Sequence, residues 1–247
     1  MWEYTEYDIR TLPTLFVVLL LAALMLAFLL RDKARWMRRI PTAAIALLLL
    51  FLEVLKQRWN LLGEFDAYLL PFHYCSLFVL VIPLAELCGE RLSRIFRPAA
   101  AGMAFAVSVA LYNCPSGIIG NACETVGTYF RPTHSVLFHH LVMFYLLLVV
   151  ALHLCTPCLR DILTVGGIGA GYAAMAIPLS HILDANYCNF LYSVLPPLEE
   201  LRLTWGQAAY TLIITAGVTV GAMLGSLLFV AVCRLIELCF FRNDPID

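Results

Sequence analysis

Seven stretches of the chain are almost wholly apolar: 12–30, 41–59, 68–88, 97–113, 135–155, 161–183 and 207–233. Each approaches the roughly 20 apolar residues that a helix needs to cross a bilayer. The pattern predicts an all-α polytopic membrane helix bundle with seven transmembrane helices. No internal repeat, Pro/Ser-rich linker or low-complexity tract divides it, so residues 1–247 read as a single bundle domain. The first span, Leu12 to Leu30, has no ionisable residue and could pass for a signal peptide. Its leader is acidic (Glu3, Glu6, Asp8), however, and Arg31-Asp32-Lys33 stands where a small-residue cleavage site would be needed. It therefore reads as a retained helix.

Basic residues gather on one side of the membrane, the side that faces the cytoplasm. Loop 31–40 carries Arg31, Lys33, Arg35, Arg38 and Arg39; loop 89–97 carries Arg91, Arg94 and Arg97; Arg160, Arg234 and Arg242 follow. The other side has only Arg10, Lys56, Arg58, Arg131 and Arg202. Seven spans then run with the N-terminus out and the C-terminus in. Trp2, Tyr4, Tyr7, Trp59, Tyr68, Tyr129 and Trp205 fall near the outer face, as interfacial aromatics do. Small residues mark packing faces: Gly166, Gly167, Gly169 and Gly171 on the sixth span, and Gly217, Gly221 and Gly225 on the seventh.

Composition agrees with the spans. Of 247 residues 62% are hydrophobic and 13% charged, against about 45–50% and about 25% in soluble domains. A water-soluble domain and a disordered chain are excluded. The net charge of −1 leaves no basic excess for nucleic acid, so membrane lipids are the expected partners.

Charges inside hydrocarbon are costly and point to function. Here they share one depth. Glu53 and Lys56 lie in the outer third of the second span, three residues apart and able to pair. Leu70-Pro71-Phe72-His73-Tyr74-Cys75-Ser76 opens the third. His134, His139 and His140 lie in the outer part of the fifth, and Ser180, His181, Asp184, Asn186 and Tyr187 at the outer end of the sixth. The inner halves look nearly free of such groups. This convergence predicts one polar pocket between spans two, three, five and six, open to the outer side, with Glu53, Lys56, His181, Asp184, Asn186 and Tyr187 as substrate-binding residues.

Two chemistries suit these residue types. His73, His139, His140, His181, Cys75 and Glu53 include zinc ligands. However, there is no His-Glu-x-x-His and no paired Cys-x-x-Cys, so no metal or other cofactor is expected. The second chemistry is a Cys–His nucleophile: Cys75 at a helix start, with His140 or His139 as base. His73, about 200° round the helix from Cys75, points elsewhere. Cys114 and Cys123 could close a disulfide if the outer side is oxidising. Cys155 and Cys158 form a lone Cys-x-x-Cys at the inner end of the fifth span, while Cys88, Cys233 and Cys239 look incidental, and Cys188 lies near an outer loop. Turn-formers between Cys114 and Pro132 suggest an ordered lid over the pocket.

The stretch Leu70–Ser76 resembles the Leu-Pro-x-His-x-Cys-Ser signature of the YwaF-type integral membrane proteins of bacteria. Glu53 on the preceding helix, Phe130-Arg131 with His139-His140, and Asn186-Tyr187 before Phe190-Leu191 fit the same pattern in order. The eukaryotic relatives are the transmembrane protein 164 group, described as acyltransferases that move a fatty acyl chain between phospholipids with a cysteine and a histidine at the centre. The eukaryotic motif is similar to Asn-Pro-Cys-His, and overlaying its Pro and His puts Phe72 at the nucleophile's position and Cys75 one turn further on. The resemblance implies a multi-pass protein of the bacterial cytoplasmic membrane that acts as a phospholipid acyltransferase or lipid hydrolase. In that reading Cys75 attacks, His140 or His139 is the base, and His73 with Glu53 polarises the ester or holds the headgroup. The alternative from another class is a non-enzymatic carrier or receptor for a small polar ligand or proton.

Overall fold

The computed structural model describes residues 5–120, 122–193 and 195–240, with side chains through residue 237. Trp2, Glu3, Tyr4, Arg242 and the side chain of Cys239, named above, lie outside the described residues. The described residues form helices and turns and no strand: α1 Glu6–Leu30, α2 Arg35–Arg38, α3 Ile40–Leu62, α4 Phe78–Leu87, α5 Glu90–Asn113, α6 Pro115–Ile118, α7 Phe130–Ala151, α8 Leu159–Leu183 and α9 Pro196–Phe240. Among them, six helical segments are long and apolar enough to cross a membrane: α1, α2 joined to α3, α5, α7, α8 and α9. One residue inside α9, Gly206, has φ 84°, a left-handed conformation glycine adopts without strain, so the segment before it turns away from the span behind it.

The third expected span is the exception. Only Phe78–Leu87 is α-helical, preceded by a 3-10 turn over Tyr74–Leu77. At 1.5 Å per residue α4 is about 15 Å long, half of the ~30 Å hydrocarbon core. Pro71 explains the shortfall. It has no N–H to give a helix, and it biases Leu70 to extended backbone, which Leu70 adopts (φ −62°, ψ 156°). His73 is extended as well (φ −77°, ψ 153°). Residues 63–73 therefore cross between α3 and α4 with no α-helix, as irregular chain interrupted by one 3-10 turn over Ala67–Leu69.

At the centre stands α5, packed on α4, α7, α8 and α9. Its run Ala99-Ala100-Ala101-Gly102-Met103-Ala104 is wholly buried. A Cβ on Gly102 would collide with Ser226, and one on Gly225 with Ala106, so these glycines set the α5–α9 distance. Gly166 and Gly169 do the same for α8 on α9, meeting Met223 at 3.0 Å and Thr219 at 3.1 Å. Gly167, Gly171, Gly217 and Gly221 face open space and carry no such contact.

The arginine-rich end corrects two expectations. α5 begins at Glu90, so Arg91, Arg94 and Arg97 are helical and not in a loop. Arg97 is buried beside Glu86, with side chains 4% and 0% exposed. Glu86 Oε1 accepts from Arg97 Nε at 2.8 Å and Tyr145 OH at 3.0 Å; Oε2 accepts from Arg97 Nη2 at 3.1 Å and Thr42 Oγ1 at 2.8 Å. Arg97 Nη1 donates to the Leu154 carbonyl at 3.3 Å. The arginine-rich half thus holds a buried ionic network that ties α3, α4, α5 and α7 together. The clue in the sequence was Glu86 inside the apolar run of α4, eleven residues before Arg97.

Candidate active site

Irregular backbone at membrane depth is tolerated only where its polar groups find partners. Residues 63–73 find them on side chains of the surrounding helices. Asn60 clamps Asp66, accepting from its N–H at 2.9 Å and donating to its carbonyl at 3.1 Å. Gln57 Nε2 donates to the Leu69 carbonyl at 2.9 Å, Tyr172 OH to Phe72 at 2.8 Å, His73 Nε2 to Tyr68 at 2.8 Å, and Tyr187 OH to Ala67. A carbonyl only accepts, so Nε2 of His73 carries its proton and a neutral ring leaves Nδ1 bare. Tyr187, expected as a substrate-binding residue, is therefore spent on the scaffold. Gln57, Asn60 and Tyr172 escaped the sequence reading because their partners in this segment are backbone atoms, which leave no trace in residue type.

The scaffold holds Cys75 and Ser76 at the head of α4, on the wall of a cavity of about 210 Å³. Glu53 and Lys56 of α3, Tyr68, Leu69 and His73 of the irregular chain, Ile118 of α6, and His134, Ser135, Phe138 and His139 of α7 complete the wall. Lys56 Nζ lies 2.8 Å from Glu53 Oε2, and Gln57 Nε2 donates to Glu53 Oε1 at 2.6 Å. Lys56 thus pairs inside the cavity wall instead of reaching for the surface. The 114–132 connection, expected as a lid, contributes Ile118.

The two neighbouring histidines of α7 part company here. Each donates Nδ1–H to the carbonyl four residues back: His139 to Ser135 at 2.8 Å, His140 to Val136 at 2.7 Å. Each neutral ring therefore presents Nε2 as a lone pair, and both Nε2 atoms are buried without a hydrogen-bond partner. Only His139 lines the cavity with Cys75. His140 sits about 100° round the helix, on the row of Val136 and Met143, where Val136 packs in an apolar cluster with Leu12 and Leu111.

The sixth-span residues lie elsewhere. Asp184 and Asn186 line a second, larger bowl of about 980 Å³ with Trp59, Glu64, Asp66 and Arg131; it adjoins the cysteine cavity through the shared Tyr68 and Leu69. Asn186 also ties its own loop, accepting from Leu191 N–H at 2.9 Å and donating to Tyr192 O at 2.9 Å. His181 is exposed on a separate hollow with Gln207 and Thr211. Among the described residues no group of three or more His, Cys, Asp or Glu could hold a metal ion.

Cys114 and Cys123 are not bridged. Cys123 is buried against α1, and burial, helped by the Asp8 carboxylate it faces, pushes its thiol up to about 11. It stays a protonated thiol at neutral pH.

The model of the TMEM164 family matches residues 5–231. No curated protein and no solved structure matches the chain.

Proposed function

The chain belongs to the TMEM164 family, and from that premise we propose that this membrane helix bundle is a thiol-dependent acyl transferase acting on membrane phospholipids, with Cys75 as nucleophile and His139 as its base. The observation that carries the reading is the cavity shared by Cys75 and a buried imidazole whose Nε2 lone pair is unclaimed. A thiol away from bulk water needs such a base to reach its nucleophilic form. Cys75 Sγ attacks the ester carbonyl while His139 Nε2 takes the thiol proton. The ester C–O bond breaks, the proton passes to the leaving glycerol oxygen, and a thioester remains. An acceptor hydroxyl then attacks the thioester, His139 takes its proton and returns it to the sulfur; water as acceptor makes the same steps a hydrolysis.

Glu53, held by Lys56 and Gln57, and His73, whose Nε2 is committed to the Tyr68 carbonyl and which lines the same cavity, orient the ester. The bowl with Asp184, Asn186 and Arg131 is the approach for the headgroup, while His140 and His181 have no part in the chemistry. The arginine excess supports a seven-pass reading with the short α4 segment as third pass, N-terminus outside. The Leu70–Ser76 motif supports the YwaF-type branch and a bacterial cytoplasmic membrane.

The test is acyl exchange among mixed phospholipids, followed by mass spectrometry. Cys75→Ala and His139→Ala abolish exchange and labelling by a thiol-reactive lipid analogue, while His140→Ala retains both, all three remaining monodisperse. Full labelling in His139→Ala rejects the pair. The alternative, a carrier for a small polar ligand, is favoured by the size of the adjoining bowl; ligand uptake that survives Cys75→Ala would select it.

A further inference from the structure

The cavity that holds Cys75 contains a second imidazole that the chemistry above leaves unused. His134 of α7 lines the wall together with Ser135, Phe138 and His139. Its ring stands in a row along α7, with its centroid 5.9 Å from that of Phe130 and 5.8 Å from that of Phe138. The ring hydrogen-bonds to the Leu52 carbonyl of α3, and its Nε2 is buried with no hydrogen-bond partner. A carbonyl only accepts, so Nδ1 carries the proton and Nε2 offers a lone pair. His139, only 6% exposed, offers a second lone pair to the same cavity. Lys56, Ser76 and Ser135 line that wall too, yet none of them donates to either Nε2. Buried acceptors left unsatisfied are costly, so the pair suits a ligand that brings two hydrogens.

We propose that a primary amine, the headgroup of an aminophospholipid, serves as acyl acceptor at this site, so that the product is an amide. The inference rests on the Cys75 thioester of the reading above. A hydroxyl brings one hydrogen, which goes to His139, and leaves His134 without a donor. An amine brings two. Its nitrogen attacks the thioester carbonyl, the C–S bond breaks, and one N–H proton passes by way of His139 to the departing sulfur. The other N–H donates to His134 Nε2 and holds the nitrogen in place. The amine reacts in its neutral form, the ammonium having left one proton with water in the bowl. Water also carries two hydrogens, but the bowl favours the amine. There Glu64, Asp66 and Asp184 set three carboxylates against the one guanidinium of Arg131, and Trp59 and Tyr68 add aromatic faces. Such a lining attracts an ammonium, while Arg131 suits the phosphate of the same headgroup. The bowl meets the cavity at Tyr68 and Leu69. From Arg131 in the bowl to His139 in the cavity is about 12 Å along α7, with His134 on the way.

The experiment gives the full chain, in lipid nanodiscs, a phosphatidylcholine with an isotope-labelled acyl chain. Phosphatidylethanolamine, free ethanolamine or a lysophospholipid is added in separate runs. Mild alkali cleaves esters and spares amides, so mass spectrometry sorts the products, and the Cys75 thioester is read on the intact protein. Label is expected in an alkali-stable amide of phosphatidylethanolamine, and in none from Cys75→Ala. His134→Ala slows amide formation about tenfold, the contribution of one hydrogen bond to the reacting nitrogen, and the thioester accumulates. His134→Gln, whose side-chain oxygen accepts the same N–H, restores most of the rate. An amide formed equally well from free ethanolamine supports the amine and overturns the lipid headgroup as its source. A thioester that discharges only to the lysophospholipid hydroxyl or to water overturns the amine acceptor and leaves the acyl-transfer reading standing. No thioester on Cys75 overturns both.

Discussion

Arg97→Met tests whether the arginine-rich end is held by the buried Glu86–Arg97 pair. The substitution keeps most of the side chain's bulk and removes three hydrogen bonds: two to Glu86, at 2.8 and 3.1 Å, and one to the Leu154 carbonyl at 3.3 Å. Glu86, fully buried, keeps only Thr42 and Tyr145. Removing one partner of a buried pair costs about 3–5 kcal/mol, because the other charge stays desolvated. For a chain of this size each kcal/mol shifts the midpoint by about 2–4 °C. A loss of roughly 6–20 °C follows, read by thermal unfolding of the detergent-solubilised protein. The double variant Glu86→Leu/Arg97→Met removes both charges and recovers most of that loss, since a well-packed apolar pair can replace an ionic one at little cost. A midpoint for Arg97→Met within about 2 °C of the parent, or a double variant worse than the sum of the singles, would refute the reasoning.

The other consequences are smaller. Tyr187→Phe leaves the Ala67 carbonyl of the irregular segment without its donor, a cost of about 1–3 kcal/mol, and loosens the segment that carries Cys75; faster modification of Cys75 by a thiol reagent, with a lowered midpoint, is the expected result. Cys123, with its thiol pushed up to about 11, stays unmodified by maleimide at pH 7 in the folded protein and gains reactivity only as pH climbs towards that value. Asp8→Asn removes the carboxylate that helps raise it, so the onset moves to lower pH. Neither non-reducing electrophoresis nor reductant changes the behaviour of Cys114 and Cys123, which are unbridged.

How far the chain can be read without coordinates depends on the range of the interaction. Hydrophobic runs of some twenty residues announce themselves, because the bilayer imposes one length on every crossing element, and six such segments stand where the apolar stretches lie. The placement of Glu53, Lys56, Cys75 and His139 round one cavity was foreshadowed by their common depth, since costly groups in hydrocarbon must meet something. Depth, however, is only one coordinate. Rotation about the axis separates His139 from His140. The ends of helices, where chain direction changes, separate Asp184 and His181 from the cysteine cavity. The short α4 hinges on Pro71 together with four side-chain partners from elsewhere in the chain: Gln57, Asn60, Tyr172 and Tyr187. Those partners bind backbone carbonyls, and the Glu86–Arg97 pair closes only because α4 and α5 fold back on one another. Solvent exclusion acts on each segment separately and is written locally in its composition. Hydrogen bonds act within about 3 Å, so which ones form is settled only when distant segments have been brought together.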